Sequence, residues 1–160
     1  MIVLDANLLL YAYDSLSSHH VNARAWVEQV FSGATPIGIP WQTAAAFLRI
    51  MTNPRLPGER FTLPEAVEVV DRWLEQPNVR LLAPGEDHWP LFRQMIVEGQ
   101  ASGALISDAH LAALTIEHGG VLHSTDRDFA RFPGLRWSNP LASKAAGLKP
   151  SALEGRERHG

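Results

Sequence analysis

The chain of 160 residues contains no cysteine. That excludes a disulfide framework, a zinc–thiolate site, an iron–sulfur cluster and a cysteine nucleophile. No apolar run approaches the ~18 residues that a membrane-spanning helix requires. The N-terminus lacks the basic start, long apolar stretch and small-residue cleavage site of a signal peptide, so a cytoplasmic location with no membrane partner is expected. An excess of basic charge is also missing. The formal net charge is −3 and the isoelectric point lies near 6.1. Bulk charge therefore does not advertise nucleic-acid binding, and any such binding must come from a local site. G-x-S-x-G, G-x-G-x-x-G and Walker-type loops do not occur. The seven histidines show neither H-E-x-x-H nor H-x-x-x-H spacing, which speaks against a histidine metal site.

What remains is the composition of an ordinary folded domain, 46% hydrophobic and 19% charged, long enough to bury a core without a staple. Short apolar runs bounded by proline, glycine or asparagine occur at 1–4, 36–40, 79–82, 121–124 and 135–137, each the length of a buried strand. Helical patterns fill the gaps at 20–31, 41–52, 87–98 and 104–118, and Thr62 and Glu65 have the spacing of a capping box at the head of a further helix. Strands alternating with helices predict an α/β fold: one three-layer α/β/α domain with a mainly parallel sheet of about five strands. The domain is expected over residues 1–141. Residues 142–160 are small, polar and charged, and are expected to form a tail outside the core.

The acids carry the functional signal. Asp5 directly follows the first strand, and Asp126 and Asp128 directly follow the fourth. In an open parallel sheet, sites form beyond the carboxyl ends of the strands, near a switch in strand order. Asp108 lies near the start of the helix 104–118, among apolar neighbours; aspartate is rarely buried without a partner. Taken singly, each acid also has a plain structural reading. Asp5 and Asp128 suit a helix cap or turn, Asp108 a first-turn acid favoured by the helix dipole, and Asp126 a partner for Arg127 or Arg131. Brought together they would repel by about 3 kcal/mol per pair at ~5 Å. Either one of them keeps a proton or a divalent cation sits among them. All-oxygen ligands suit Mg²⁺ or Mn²⁺, a setting typical of phosphoryl transfer.

Four stretches carry a family resemblance: VLDANLLLYA at the start, PWQTAAAFLRIMTNPR at 40–55, SDAHLAAL at 107–114, and STDRDFARFPGLRWSNPL at 124–141. In order and spacing they resemble the PIN-domain ribonucleases, specifically the VapC-type toxins of type II toxin–antitoxin pairs, over residues 1–141. The resemblance implies an endoribonuclease that hydrolyses RNA phosphodiesters with a water activated by Mg²⁺ or Mn²⁺. It assigns Asp5, Asp108 and Asp126 as catalytic metal ligands and Asp128 as an additional acid. Asn7 and Ser124 would position those acids. It further implies a homodimer and inhibition by a small cognate antitoxin. Arg49 and Arg127 are the candidate contacts to RNA phosphate, with solvated surface arginines the alternative.

One departure stands out. Members of the family commonly carry Glu just before the Phe-Leu-Arg stretch, where this chain has Ala46. A methyl group holds neither a cation nor a water. The competing expectation is thus a catalytically weakened scaffold that acts mainly through antitoxin or RNA binding. A small phosphatase is a third reading, weakened because Asn7 stands where such enzymes have a second acid.

Overall fold

Strands and helices alternate along the chain in the computed structural model, which describes residues 1–142. The strands are β1 (Ile2–Leu4), β2 (Ile37–Pro40), β3 (Val79–Leu82), β4 (Val121–His123) and β5 (Trp137–Ser138). Each of the five expected apolar runs overlaps a strand, the run 135–137 only at Trp137. They form one sheet in the order β3-β2-β1-β4-β5, and every neighbouring pair is parallel. The sheet is thus wholly, rather than mainly, parallel. The tail expected from residue 142 lies, but for Ala142, outside the described residues.

The helices are α1 (Ala6–Tyr13), α2 (His20–Phe31), α3 (Trp41–Met51), α4 (Leu63–Glu75), α5 (His88–Glu98) and α6 (Leu105–Glu117). Four occupy the stretches where apolar spacing predicts them. The α4 helix begins on the expected capping box: Glu65 N donates to Thr62 Oγ1, and Thr62 N donates to Glu65 Oε2 at 3.0 Å. The α1 helix has no counterpart among the sequence expectations. Its run ANLLLYAY is apolar nearly throughout and gives no helical period to read. Burial decides it: Leu8 and Leu9 are both fully buried, and Asp5 supplies the cap. A short 3₁₀ turn, Arg127–Arg131, also follows β4 where the acids lie.

Side chains alternate across the sheet and divide the core into two layers. On one face Leu4, Ile37, Ile39 and Val79 pack with Leu9, Val27, Phe47, Met51 and Trp73 of α1 to α4. On the other, Val3, Leu82 and Leu122 pack with Met95, Leu111 and Leu114 of α5 and α6, and with Phe129 and Phe132. Helices thus cover both faces, as parallel sheets require. The chain leaves β1 toward β2 on one side, while β4 lies on the other side of β1. The crevice beyond the ends of β1 and β4 is therefore the topological switch point, the place where open α/β sheets bind ligands.

Candidate active site

Three chain segments meet at that crevice. β1 ends in Asp5, β4 leads into Ser124, Asp126 and Asp128, and the first turn of α6 brings Asp108. Parallel register fixes the first two against each other. Leu4 pairs with His123, and Asp5 N donates to the His123 carbonyl at 3.1 Å. Residues 5 and 124 are consequently neighbours across the sheet although 119 positions separate them.

Ser124 ties this junction together. It is fully buried. Its Oγ donates to Asp5 Oδ2 at 2.7 Å and accepts from Asp126 N at 3.0 Å and from Asn7 Nδ2 at 3.2 Å. One hydroxyl donor and two lone pairs are thereby all used. The hydroxyl orients Asp5, fixes the turn that carries Asp126, and receives Asn7 from the next turn of chain. Asp5 Oδ1 accepts from Ala6 N at 2.8 Å, capping α1. Asp126 Oδ1 accepts from Asp128 N at 2.8 Å and caps the 3₁₀ turn. The buried Oδ1 of Asn7 has no hydrogen-bond partner.

Among the described residues, Asp108, Asp126 and Asp128 each offer a carboxylate oxygen, and these oxygens lie within 4.8 Å of one another. Asp5 stands beside this trio, held by Ser124 and Ala6, and is not a member of it. Electrostatics couple all four. The Asp108 carboxyl is pushed up from 3.8 to about 6, first by burial and then by the charges of Asp126, Asp5 and Asp128, with Arg131 opposing. The Asp5 carboxyl is also raised, chiefly by burial and least by Asp126, while its hydrogen bonds from Ser124 and Ala6 pull it down. Crowded carboxylates raised in this way are what a small dication relieves. A donor set made only of carboxylate oxygen fits Mg²⁺ or Mn²⁺ and lacks the nitrogen and sulfur ligands that favour zinc.

Of the two arginines expected to meet phosphate, Arg127 lies at the acids and Arg49 does not. Arg127 is exposed between Asp126 and Asp128. Arg49 is exposed in the last turn of α3, about 12 Å along the helix axis from its first residue. Ala46 is half-buried in α3. Arg131 donates to the Gly99 carbonyl at 3.1 Å. Arg136 donates to the Gly119 carbonyl at 3.0 Å, at the end of β4 opposite the acids. His123 stacks on Trp26 with ring centroids 5.4 Å apart. Burial lowers its pKa, and its ring Nδ1 lies 3.1 Å from the Val121 carbonyl, so only its backbone carbonyl, which accepts from Asp5 N, meets an acid.

The start of α3 is a part of the site that sequence spacing does not reveal. Thr43 Oγ1, buried, donates to the Leu4 carbonyl at 2.8 Å. Gln42 Nε2 donates to the Ser107 carbonyl at 3.3 Å. Each contact ends on the carbonyl immediately before an acid, Asp5 in one case and Asp108 in the other. Short-range pattern carries no signal for pairs separated by 39 and 65 residues.

A parallel sheet with helices on both faces and an acidic crevice at its switch point defines a three-layer α/β/α domain with a candidate cation site. The particular family follows from comparison. The PIN domain family matches residues 2–135. The chain is 39% identical over 141 residues to ribonuclease VapC43 of Mycobacterium tuberculosis, covering 88% of this chain and 96% of that protein. It is 37% identical over 142 residues to ribonuclease VapC37 of the same organism, covering 89% and 99%. The chain belongs to the PIN-domain family, among its VapC ribonucleases. Solved structures share the fold at lower identity. VapBC2 of Rickettsia felis, bound to a DNA fragment from its promoter, superposes with a TM-score of 0.64 at 17% identity, covering 87% of this chain and 98% of that one. The Mycobacterium tuberculosis toxin VapC20, described as cleaving the sarcin–ricin loop, superposes with a TM-score of 0.61 at 16% identity, covering 85% and 99%.

Proposed function

We propose that the chain is a divalent-metal-dependent endoribonuclease toxin, its domain spanning residues 1–141, that hydrolyses RNA phosphodiesters in the cytoplasm. The observation that carries this reading is the acid cluster at the β1/β4 switch point, in a chain 39% identical to a VapC ribonuclease. Asp108, Asp126 and Asp128 would hold Mg²⁺ or Mn²⁺, with Asp5 as the fourth acid. When bound, the cation supplies positive charge against the phosphate and a lowered pKa for its water.

The chain's own groups do the rest. Ser124 and the Ala6 amide keep Asp5 in one orientation, so it needs no reorganisation when substrate arrives. The orphaned Asn7 Oδ1 is a buried acceptor close to Ser124 and Asp5, suited to the proton of a bound water. Arg127, on the turn between two of the acids, is the cation best placed to meet a neighbouring phosphate, and Arg49 a more distant one. Several neighbours of the same fold are VapBC assemblies, which supports a small antitoxin as partner. A homodimer completes the reading.

The test is cleavage of a structured RNA by the purified chain in Mg²⁺ or Mn²⁺. Asp108→Asn and Asp5→Asn are expected to abolish it. A specific feature favours a second reading: α3 carries no carboxylate anywhere in WQTAAAFLRIM. If the chain is inert while Ala46→Glu cleaves, the scaffold works by binding and the nuclease assignment falls for this sequence.

A further inference from the structure

Trp41 is the first residue of α3 and directly follows the last residue of β2. It is 58% exposed, although indole gains more than most side chains from burial. Of the other tryptophans of the helices, Trp73 is almost wholly buried against Phe47, Trp26 stacks on His123, and Trp89, as exposed as Trp41, meets Phe92 edge-on. Trp41 has no aromatic neighbour among the described residues.

Its place is set by the two residues that follow it. Thr43 fastens the first turn of α3 to the carbonyl before Asp5, and Gln42 fastens it to the carbonyl before Asp108. The turn that begins with Trp41 is thus anchored to Leu4 and Ser107, the residues that precede two of the acids, and its indole is exposed. A polymer whose phosphate lies at those carboxylates carries its next base within a few ångströms. An exposed indole is the side chain that holds such a base by stacking.

We propose that Trp41 is a stacking platform for one unpaired nucleobase adjoining the phosphate at the acid cluster. This inference rests on the nuclease reading above and deepens it. Bases inside an A-form stem have both faces covered, so a stem cannot use the platform without unstacking.

The experiment uses the full chain carrying Asp108→Asn, in Mg²⁺, with a fluorescent single-stranded pentanucleotide RNA and the same sequence closed into a hairpin stem. Anisotropy should show tighter binding of the single strand. Trp41→Ala should weaken it by about 5- to 150-fold, and Trp41→Phe should retain most of it. The salt dependence should keep its slope in Trp41→Ala, because losing a stack releases no counterions. In the chain with Asp108 intact, Trp41→Ala should raise KM for a single-stranded substrate far more than it lowers kcat.

Equal affinity of the alanine variant and its parent, equal affinity for strand and stem, or no binding of either RNA would overturn the proposal. So would a change of oligomeric state in Trp41→Ala by light scattering, which would assign the indole to a second copy of the chain. The two readings fail separately. Cleavage that ignores position 41 removes the platform and keeps the nuclease, whereas Trp41-dependent binding without any cleavage keeps the platform and removes the nuclease.

Discussion

Replacing Asp108 with Asn should stabilise the metal-free protein, and the gain should depend on pH in a defined direction. The Asp108 carboxyl is raised from 3.8 to about 6 by burial and by three neighbouring acids. A carboxyl held protonated to higher pH in the fold than in the unfolded chain favours folding only while protonated. Its contribution is fully present below pH ~4 and is lost as pH rises through about 6. For a wholly buried group this difference would be worth about 3 kcal/mol. Asp108 is only half-buried, and solvent screening reduces the figure to about 1–2 kcal/mol. Asparagine is nearly isosteric and carries no charge at any pH. Asp108→Asn should therefore raise Tm by about 3–8 °C at pH 7.5 in EDTA, with the gain opening between pH ~4 and ~7 and absent below it. Circular dichroism melts at pH 3.5, 5.5 and 7.5 measure this. Added Mg²⁺ should reverse the order, because the ion supplies the missing counter-charge to the parent and binds the variant less well. A gain of the same size at every pH, or none at pH 7.5, would show that the acids are not crowded and would undo the electrostatic account of the site.

Other expectations concern the groups around that cluster. Ser124→Ala strips a buried hydroxyl from three partners and should cost about 1–3 kcal/mol in urea denaturation. Because the hydroxyl favours ionised Asp5, the same variant should raise the Asp5 pKa further and weaken Mg²⁺ binding by about 10- to 100-fold in calorimetry. Apparent Mg²⁺ affinity of the parent should fall by up to tenfold per pH unit below about 6, where the ion must displace the Asp108 proton; a flat titration would contradict this. Thr62→Ala removes the capping box of α4 and should cost about 1 kcal/mol with cleavage unchanged, since that helix end contributes nothing to the crevice.

Much of the fold was legible because its signals are local. Each strand is a short apolar run between turn residues, and most helices show one apolar face with a cap or a glycine stop. α1 escaped because an almost uniformly apolar octet has no period, and only its placement between the sheet and α2 and α3 makes a helix of it. The acids show a different pattern. Asp5 serves as a helix cap, as its single-residue reading suggests, and Asp126 rather than Asp128 caps the 3₁₀ turn, yet both also take part in the crowded site. Capping uses Oδ1 of each residue, and Asp5 turns its Oδ2 to Ser124. The structural and functional readings are therefore compatible.

The residue types, their order and their position at strand ends are properties of the chain itself. Together they determined an α/β domain with acids at one edge of a parallel sheet, and an α3 helix devoid of carboxylate. Tertiary structure alone decided which acids become neighbours. It grouped Asp108, Asp126 and Asp128, stood Asp5 beside them on the Ser124 hydroxyl, sent Arg136 to the far edge and fastened the head of α3 to Leu4 and Ser107. The reason is distance along the chain. Sequence patterns report contacts within a turn or two, whereas these relationships arise when residues 119 positions apart fall into register and α3 is tied to β1 and to α6.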